Sequence, residues 1–231
     1  LIPTEIAARA EAAIWRIMGM DPHTPDTWQR AGNGAAEYQP ERGLSVHNGL
    51  QDPELMACAT PEFLQATADL LGTDSVHPPE AVHTQNKVPI RGEWAWPDPH
   101  IDGIPKEHMH QTFPGPYRIA CLLYLSDVEQ RGGGTAVWPG SQYQIRALAE
   151  SDREKYRYLY HLNQDVPNLG LGEPLELMPR RGDVLFFQPL FGHNGTANVS
   201  ARPRWMMRYF CSCTECRSRW KKTSEWGLWT P

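Results

Sequence analysis

Arg181-Gly-Asp-Val-Leu-Phe-Phe-Gln-Pro-Leu-Phe-Gly-His193, continuing through Asn194-Gly-Thr-Ala-Asn-Val-Ser-Ala-Arg202-Pro-Arg204, is the stretch on which the fold turns. It reads as a turn, a short buried strand, a histidine presented at a strand edge, a polar loop and the start of another strand. In Pro203–Cys211 the even positions Arg204, Met206, Arg208 and Phe210 share one face, and Trp205, Met207, Tyr209 and Cys211 share the other. If this strand lines a barrel interior, an arginine goes in with it. A buried, unpaired guanidinium costs several kcal/mol, so an inward arginine needs an anion, and a dicarboxylate supplies one bidentately. The alternative reading leaves the arginines in solvent and makes Trp205 and Tyr209 core.

Working outward, the period of 2 begins near residue 81. Ala81–Pro89, Arg91–Trp96, Tyr117–Leu125, Thr135–Trp138, Leu175–Met178, Val184–Phe187 and Arg204–Cys211 are predicted strands separated by Pro/Gly turns. One helical insertion, residues 145–162, interrupts them, its charged run Glu150-Ser-Asp-Arg-Glu-Lys155 reading as a solvated face. Before residue 81 the pattern is helical. Residues 4–18 put Ile6, Ala10, Ile14 and Ile17 on one face and stop at Gly19; Thr24–Trp28 opens a short second helix; Thr60–Leu71 has a capping Thr, Pro61 in its first turn and Gly72 as a stop. The prediction is one domain over 1–231: a helical support segment over 1–80, a jelly-roll core over 81–211 and a C-terminal tail over 212–231. The fold class is mainly β with supporting helices, as an antiparallel barrel or jelly roll.

The 231 residues suffice for one domain that needs neither disulfides nor structural metal to fold. Lys+Arg number 22 against 27 Asp+Glu, and a net charge of -5 argues against a sequence-independent nucleic-acid binder. The longest apolar run, Ile119–Leu125, is far short of the roughly 20 residues that span a bilayer. Five cysteines, three of them crowded between Cys211 and Cys216, do not form a disulfide ladder and point to a reducing, cytoplasmic setting. The sequons Asn194-Gly-Thr196 and Asn198-Val-Ser200 lie where glycans would block the site proposed below. The chain begins at Leu1, which leaves room for a removed leader.

His100-Ile101-Asp102 is the strongest local chemical signal. On a strand, residues i and i+2 project together, so one imidazole and one carboxylate meet, and a distant histidine completes the 2-His-1-carboxylate set that leaves metal positions open for oxygen chemistry. Alone, a His-x-Asp is weak. The ordered series His100-Ile-Asp102, Gly132-Gly-Gly-Thr-Ala-Val-Trp-Pro-Gly-Ser141, Arg181-Gly-Asp-Val-Leu-Phe-Phe187, and His193 with an arginine eleven residues on resembles the phytanoyl-CoA dioxygenase group of Fe(II)/2-oxoglutarate oxygenases over residues 81–211. That resemblance implies a double-stranded β-helix, with His100, Asp102 and His193 as ligands of Fe(II) and Arg204 on the far carboxylate of 2-oxoglutarate. It implies Gln85 or Lys87 as a further cosubstrate contact, and Arg202 as a surface residue. With Asp102 present, rather than the small residue of related halogenating enzymes, it implies O2-dependent hydroxylation of a small-molecule substrate, with release of succinate and CO2.

The family's Pro-Gly-Ser-His turn is here Pro139-Gly-Ser-Gln142, and its common Gln between the ligands is Ile101. His47, Asn48, Trp96 and His108 are the substrate-pocket candidates. Two other functions compete: a non-catalytic jelly-roll binding protein, and a cupin-like metalloenzyme using His108 and His110, which lack the expected downstream Glu. Cys211, Cys213 and Cys216 read as partly buried thiols rather than a zinc site, since a fourth ligand is missing. Trp220, Trp226 and Trp229 are read as packing on the barrel.

Overall fold

The alternating stretches pair into two antiparallel sheets in the structure, a computed structural model that describes residues 1–102, 111–113, 119–188 and 190–214. The strands are β1 Glu37–Gln39, β2 Leu44–Leu50, β3 Val76–His77, β4 Val82–Lys87, β5 Ile119–Tyr124, β6 Thr135–Val137, β7 Leu175–Leu177, β8 Val184–Phe187, β9 His193–Gly195 and β10 Met206–Cys213. The major sheet runs β1-β2-β4-β10-β5-β8, with β3 on the far end of β10; the minor sheet runs β7-β6-β9. All pairings are antiparallel. A cavity opens between the two sheets, as in a jelly roll.

Among the described residues five α-helices accompany them: α1 Thr4–Met18, α2 Pro53–Met56, α3 Pro61–Leu71, α4 Ser141–Ser151 and α5 Leu159–Asp165. α1 ends where Gly19 turns left-handed at φ 65, a conformation that favours glycine. In α3 the Thr60 hydroxyl accepts a hydrogen bond from Phe63 N at 3.2 Å, and Gly72 closes the helix. α1, α2 and α3 cover the outer face of the major sheet. There Ile14, Trp15, Phe63, Leu123, Trp205, Met207 and Tyr209 share one buried core. Arg181 fastens this layer, donating from Nε to Leu125 O at 2.9 Å and pairing with Glu11 of α1. None of the helices described is long and apolar enough to cross a membrane.

Four features depart from the sequence reading. The segment before residue 81 is not only helical, because β1 and β2 extend the major sheet. Their pattern hides this: Ser45 and His47 face the core with polar groups, satisfied by Ala31 O at 2.5 Å and Asn33 O at 2.8 Å. Thr24–Trp28 opens a 3-10 rather than an α-helix, over Pro25–Gly32. Arg91–Trp96 forms no strand, since Pro89, Pro97 and Pro99 withhold ladder donors around it. The insertion is two helices, broken where Asp152 Oδ1 caps Lys155 N at 2.9 Å and turns the charged run into a loop.

Among the cysteines, Cys58, Cys121 and Cys211 are buried free thiols, whereas Cys213 is disulfide-bonded, against the expectation of a thiol there. Cys216 and the three C-terminal tryptophans lie outside the described residues.

The helical layer's attachment is testable at Trp205. Its indole is fully buried and meets Trp15 edge-on, centroids 4.6 Å apart at 73°. Trp205→Ala is expected to lower unfolding free energy by about 3–5 kcal/mol in urea titration, whereas Trp96→Ala, at a side chain 46% exposed, changes it by under about 0.5 kcal/mol. A loss below about 1 kcal/mol at Trp205 would show that α1 is not packed through this contact.

Candidate active site

The minor sheet brings its histidine to the cavity through backbone geometry. His100 and His193 exchange both hydrogen bonds, N to O at 3.0 Å each way, as an isolated antiparallel bridge. Their rings stand 4.5 Å apart. Asn194 Nδ2 donates to Asp98 O at 2.7 Å, and Ser141 Oγ accepts from Gly192 N at 2.9 Å, fixing the segments on either side. Ile101, fully buried, points away into a cluster with Ile145, Leu159, Leu162 and Val166, and its N–H donates to Asn163 Oδ1 at 2.7 Å. The two-helix insertion therefore supports the ligand segment from behind. Asp102 follows in a bend rather than a strand, yet its carboxylate still lands beside the rings.

Metal-binding atoms of His100, Asp102 and His193 all lie within 4.8 Å of one another, with His193 Nε2 3.8 Å from Asp102 Oδ1. His193 Nδ1 is 2.8 Å from Phe191 O, so that nitrogen carries the proton and donates, leaving the Nε2 lone pair toward the site. Burial pushes both imidazoles toward the neutral form, His100 down to about 3 with help from His193, and His193 also below its ordinary value. Two neutral imidazoles and a carboxylate are the donor set of the facial triad, so the residues fit a divalent iron.

The same cavity, about 390 Å³, has a cationic end. Arg204 is 2% exposed and Lys87 3%, on adjacent strands joined by reciprocal backbone bonds of 3.0 and 2.8 Å. Arg204 donates Nε to Gly133 O at 2.6 Å and Nη1 to Gln85 O; Lys87 Nζ donates to Arg42 O at 3.2 Å. All are backbone carbonyls. Neither cation pairs with a carboxylate among the described residues. Burial, then Arg204 and Arg42, push Lys87 down to about 7, and burial lowers Arg204 to about 10. Gly133, at φ +77, makes this approach possible, since a Cβ there would lie 2.9 Å from Lys87 Cβ.

Of the residues singled out in the sequence, His100, Asp102, His193, Arg204, Gln85 and Lys87 line this one cavity. His47 faces the core instead, Asn48 is exposed and bonded to His83 at 2.9 Å, and Trp96 packs on Trp94 at 4.7 Å; none lines the cavity. β2's alternation and the Pro-rich turn place those three away from the lining of this cavity. His108 and His110, with the cupin-like alternative, lie outside the described residues. Arg202 is exposed, and Met206 and Arg208 face the cavity beside Arg204. Sequence reasoning missed Asn163, Asn194 and the Arg208–Asp102 ion pair, which depend on contacts between distant segments.

A family model described as phytanoyl-CoA dioxygenase (PhyH) matches residues 6–206. Among solved structures, the epimerase SnoN from nogalamycin biosynthesis, in complex with Fe3+, alpha ketoglutarate and nogalamycin RO, is similar with TM-score 0.64 and 15% identity, over 92% of this chain and 76% of that one. EctD from S. alaskensis, with 2-oxoglutarate and 5-hydroxyectoine, gives 0.57 and 14%, over 100% and 74%. The non-heme alpha ketoglutarate dependent carbocyclase SnoK, also from nogalamycin biosynthesis, gives 0.56 and 19%, over 100% and 86%. At these identities the likeness is one of fold. No curated relative matches the chain.

The cationic end makes a prediction of its own. Above about pH 7 the ligand-free Lys87 is largely neutral, and a carboxylate beside it restores the charged form, so binding takes up a proton. Below pH 7 the proton is already present. Calorimetry of glutarate binding in buffers of differing ionisation enthalpy is expected to show uptake rising from near zero at pH 6 toward one proton at pH 9. Lys87→Met abolishes the pH dependence, and equal uptake in that variant would remove Lys87 from the anion site.

Proposed function

The chain belongs to the phytanoyl-CoA dioxygenase family, and from that premise we propose that it is an Fe(II)- and 2-oxoglutarate-dependent dioxygenase. Its reaction is hydroxylation of a small or medium-sized organic substrate at an unactivated C–H bond. One observation carries this reading: a single cavity has a 2-His-1-carboxylate set at one place, with Asp102 and His193 buried and His100 half-buried, and two buried cations without a carboxylate partner at another, among the described residues. A buried cation pair of that kind is costly unless an anion joins it. 2-Oxoglutarate is a dianion whose carboxylate fits the planar fork of Arg204.

His100, Asp102 and His193 hold the iron, and Arg204, with Lys87 beside it, holds the distal carboxylate. Bound there, Fe(II) supplies the redox chemistry that couples O2 and decarboxylation of 2-oxoglutarate, to succinate and CO2, with oxidation of the substrate. The protein's part is placement. Phe191 O fixes the His193 tautomer, Ile101 anchors the ligand segment in its apolar cluster, and Gly133 leaves room for the cations. Leu122 and Met206 give the cavity an apolar wall between its charged groups, which restricts water around the reacting atoms. Substrate choice is left to surrounding loops.

A second reading keeps the site and changes the outcome: C–H oxidation without transfer of hydroxyl. It is favoured by the solved structures described as an epimerase and a carbocyclase. Product mass separates the two, since hydroxylation adds one oxygen atom derived from O2. The non-catalytic alternative gives no turnover with any substrate while folding intact.

The tests follow from the roles. Anaerobic addition of Fe(II) and 2-oxoglutarate is expected to produce a weak visible charge-transfer band; folded protein without one would sink the proposal. His100→Ala, Asp102→Ala and His193→Ala should abolish substrate-stimulated succinate release while leaving the fold intact. Arg204→Ala should weaken 2-oxoglutarate binding by about 30- to 5,000-fold, the cost of truncating one side of a buried charge pair. Arg204→Lys is also impaired for want of the planar fork, and Arg202→Ala stays near wild type.

A further inference from the structure

Two arginines of one strand face enter the cavity, and they meet different partners. Arg204 donates to backbone carbonyls, whereas Arg208, four residues on, pairs through Nη2 with Asp102 Oδ1. We propose that Arg208 is a positioning residue for the metal centre, one that turns the Asp102 carboxylate toward His193 and holds it there. The inference rests on the reading of His100, Asp102 and His193 as metal ligands.

The His100 and His193 main chains are locked by their mutual bridge, and the His193 ring is further oriented by Phe191 O. Asp102 lies in a bend two residues past the bridge, just after the Ile101 N–H bond to Asn163. In a bend, the side chains that a carboxylate meets select its rotamer.

Arg208 is well placed to select. β10 is the middle of the major sheet, paired to β4 through Arg208↔His83 and to β5 through Arg208↔Leu122, so the arginine's base is rigid. Its side chain is 19% exposed and that of Asp102 5%, which puts the pair in a setting where a charge-assisted bond is little screened. The oxygen it grips, Oδ1, is the one 3.8 Å from His193 Nε2. The contact therefore fixes the carboxylate in the orientation that completes the triad. Along an extended strand, four residues carry Arg208 roughly 13 Å from Arg204. That separation places one arginine at the carboxylate ligand and the other at the cosubstrate end.

Metal uptake tests this without reference to turnover. Co(II) affinity is measured by calorimetry for the wild type, Arg208→Met, Arg208→Gln and Arg208→Lys, with thermal melting of each metal-free protein to verify folding. Arg208→Met and Arg208→Gln are expected to bind Co(II) about 10- to 100-fold more weakly. Arg208→Lys lies between them and wild type, because the ammonium keeps the charge without the fork. The visible Co(II) bands of saturated Arg208→Met should shift from wild type, which a purely structural role would leave unchanged. In an Asp102→Ala background Arg208→Met should have no further effect on affinity, since the arginine acts through that carboxylate. Unchanged or tighter Co(II) binding by Arg208→Met overturns the proposal, as does an undiminished effect in the Asp102→Ala background. Wild-type protein that takes up no Co(II) overturns the metal-site reading itself, together with this proposal.

Discussion

Two hydrogen bonds between the backbones of His100 and His193 set the terms for the rest of the molecule. They join the His100 segment to β9 at the edge of the minor sheet, so a histidine from each of two distant segments reaches the same point with little freedom left. Antiparallel pairing fixes register, and register fixes which side chains face inward. A shift of one residue would turn His193 away from the cavity. The supports around the bridge act on the same degree of freedom: Asn194 on Asp98 O, Ser141 on Gly192 N, and the Ile101 anchor in the two-helix insertion.

The second constraint is electrostatic. Lys87 and Arg204 are taken out of water side by side, with backbone carbonyls as their hydrogen-bond partners. Burial lowers the pKa of both, and the nearby Arg204 and Arg42 lower that of Lys87 further. An arrangement of that kind is disfavoured in the folded state by itself and relieved when an anion enters. The neighbouring Arg208 differs because it has a carboxylate to meet. The same residue type, on the same strand face, thus serves anion binding at one position and carboxylate orientation at the other.

Stability and chemistry occupy separate layers. The largest buried cluster lies outside the major sheet, under α1 and α3, where Trp15, Phe63, Trp205 and Tyr209 pack. The cavity face of that sheet carries the charged groups, with Leu122 and Met206 between them. β10 and the residue before it join the layers by alternation, sending Trp205, Met207 and Tyr209 one way and Met206 and Arg208 the other. The outer core can therefore hold the sheet while the inner face carries charges a conventional core would not tolerate.

Much of this was legible in the residues. Period-2 alternation located β4, β5, β6, β7, β8 and β10 to within a few residues, and capping signals located α1 and α3, because those patterns are set by local geometry. The ordered motifs brought His100, Asp102, His193 and Arg204 forward as a group, since the spacing of each reports a turn or a strand. The alternation of Pro203–Cys211 left open which face was inward, and the second sheet decided it. β1 and β2 escaped because Ser45 and His47 invert the usual pattern, a polar burial made tolerable by carbonyls at Ala31 and Asn33. His47 was a pocket candidate for its chemistry alone, and its neighbours placed it in the core. The Arg208–Asp102 pair and the anchoring of Ile101 by Asn163 join segments far apart in the chain, and no local pattern encodes a partner across such a distance. The sequence determined which side chains share a strand face; only the packing of one sheet over the other determined which of those faces enclose a site.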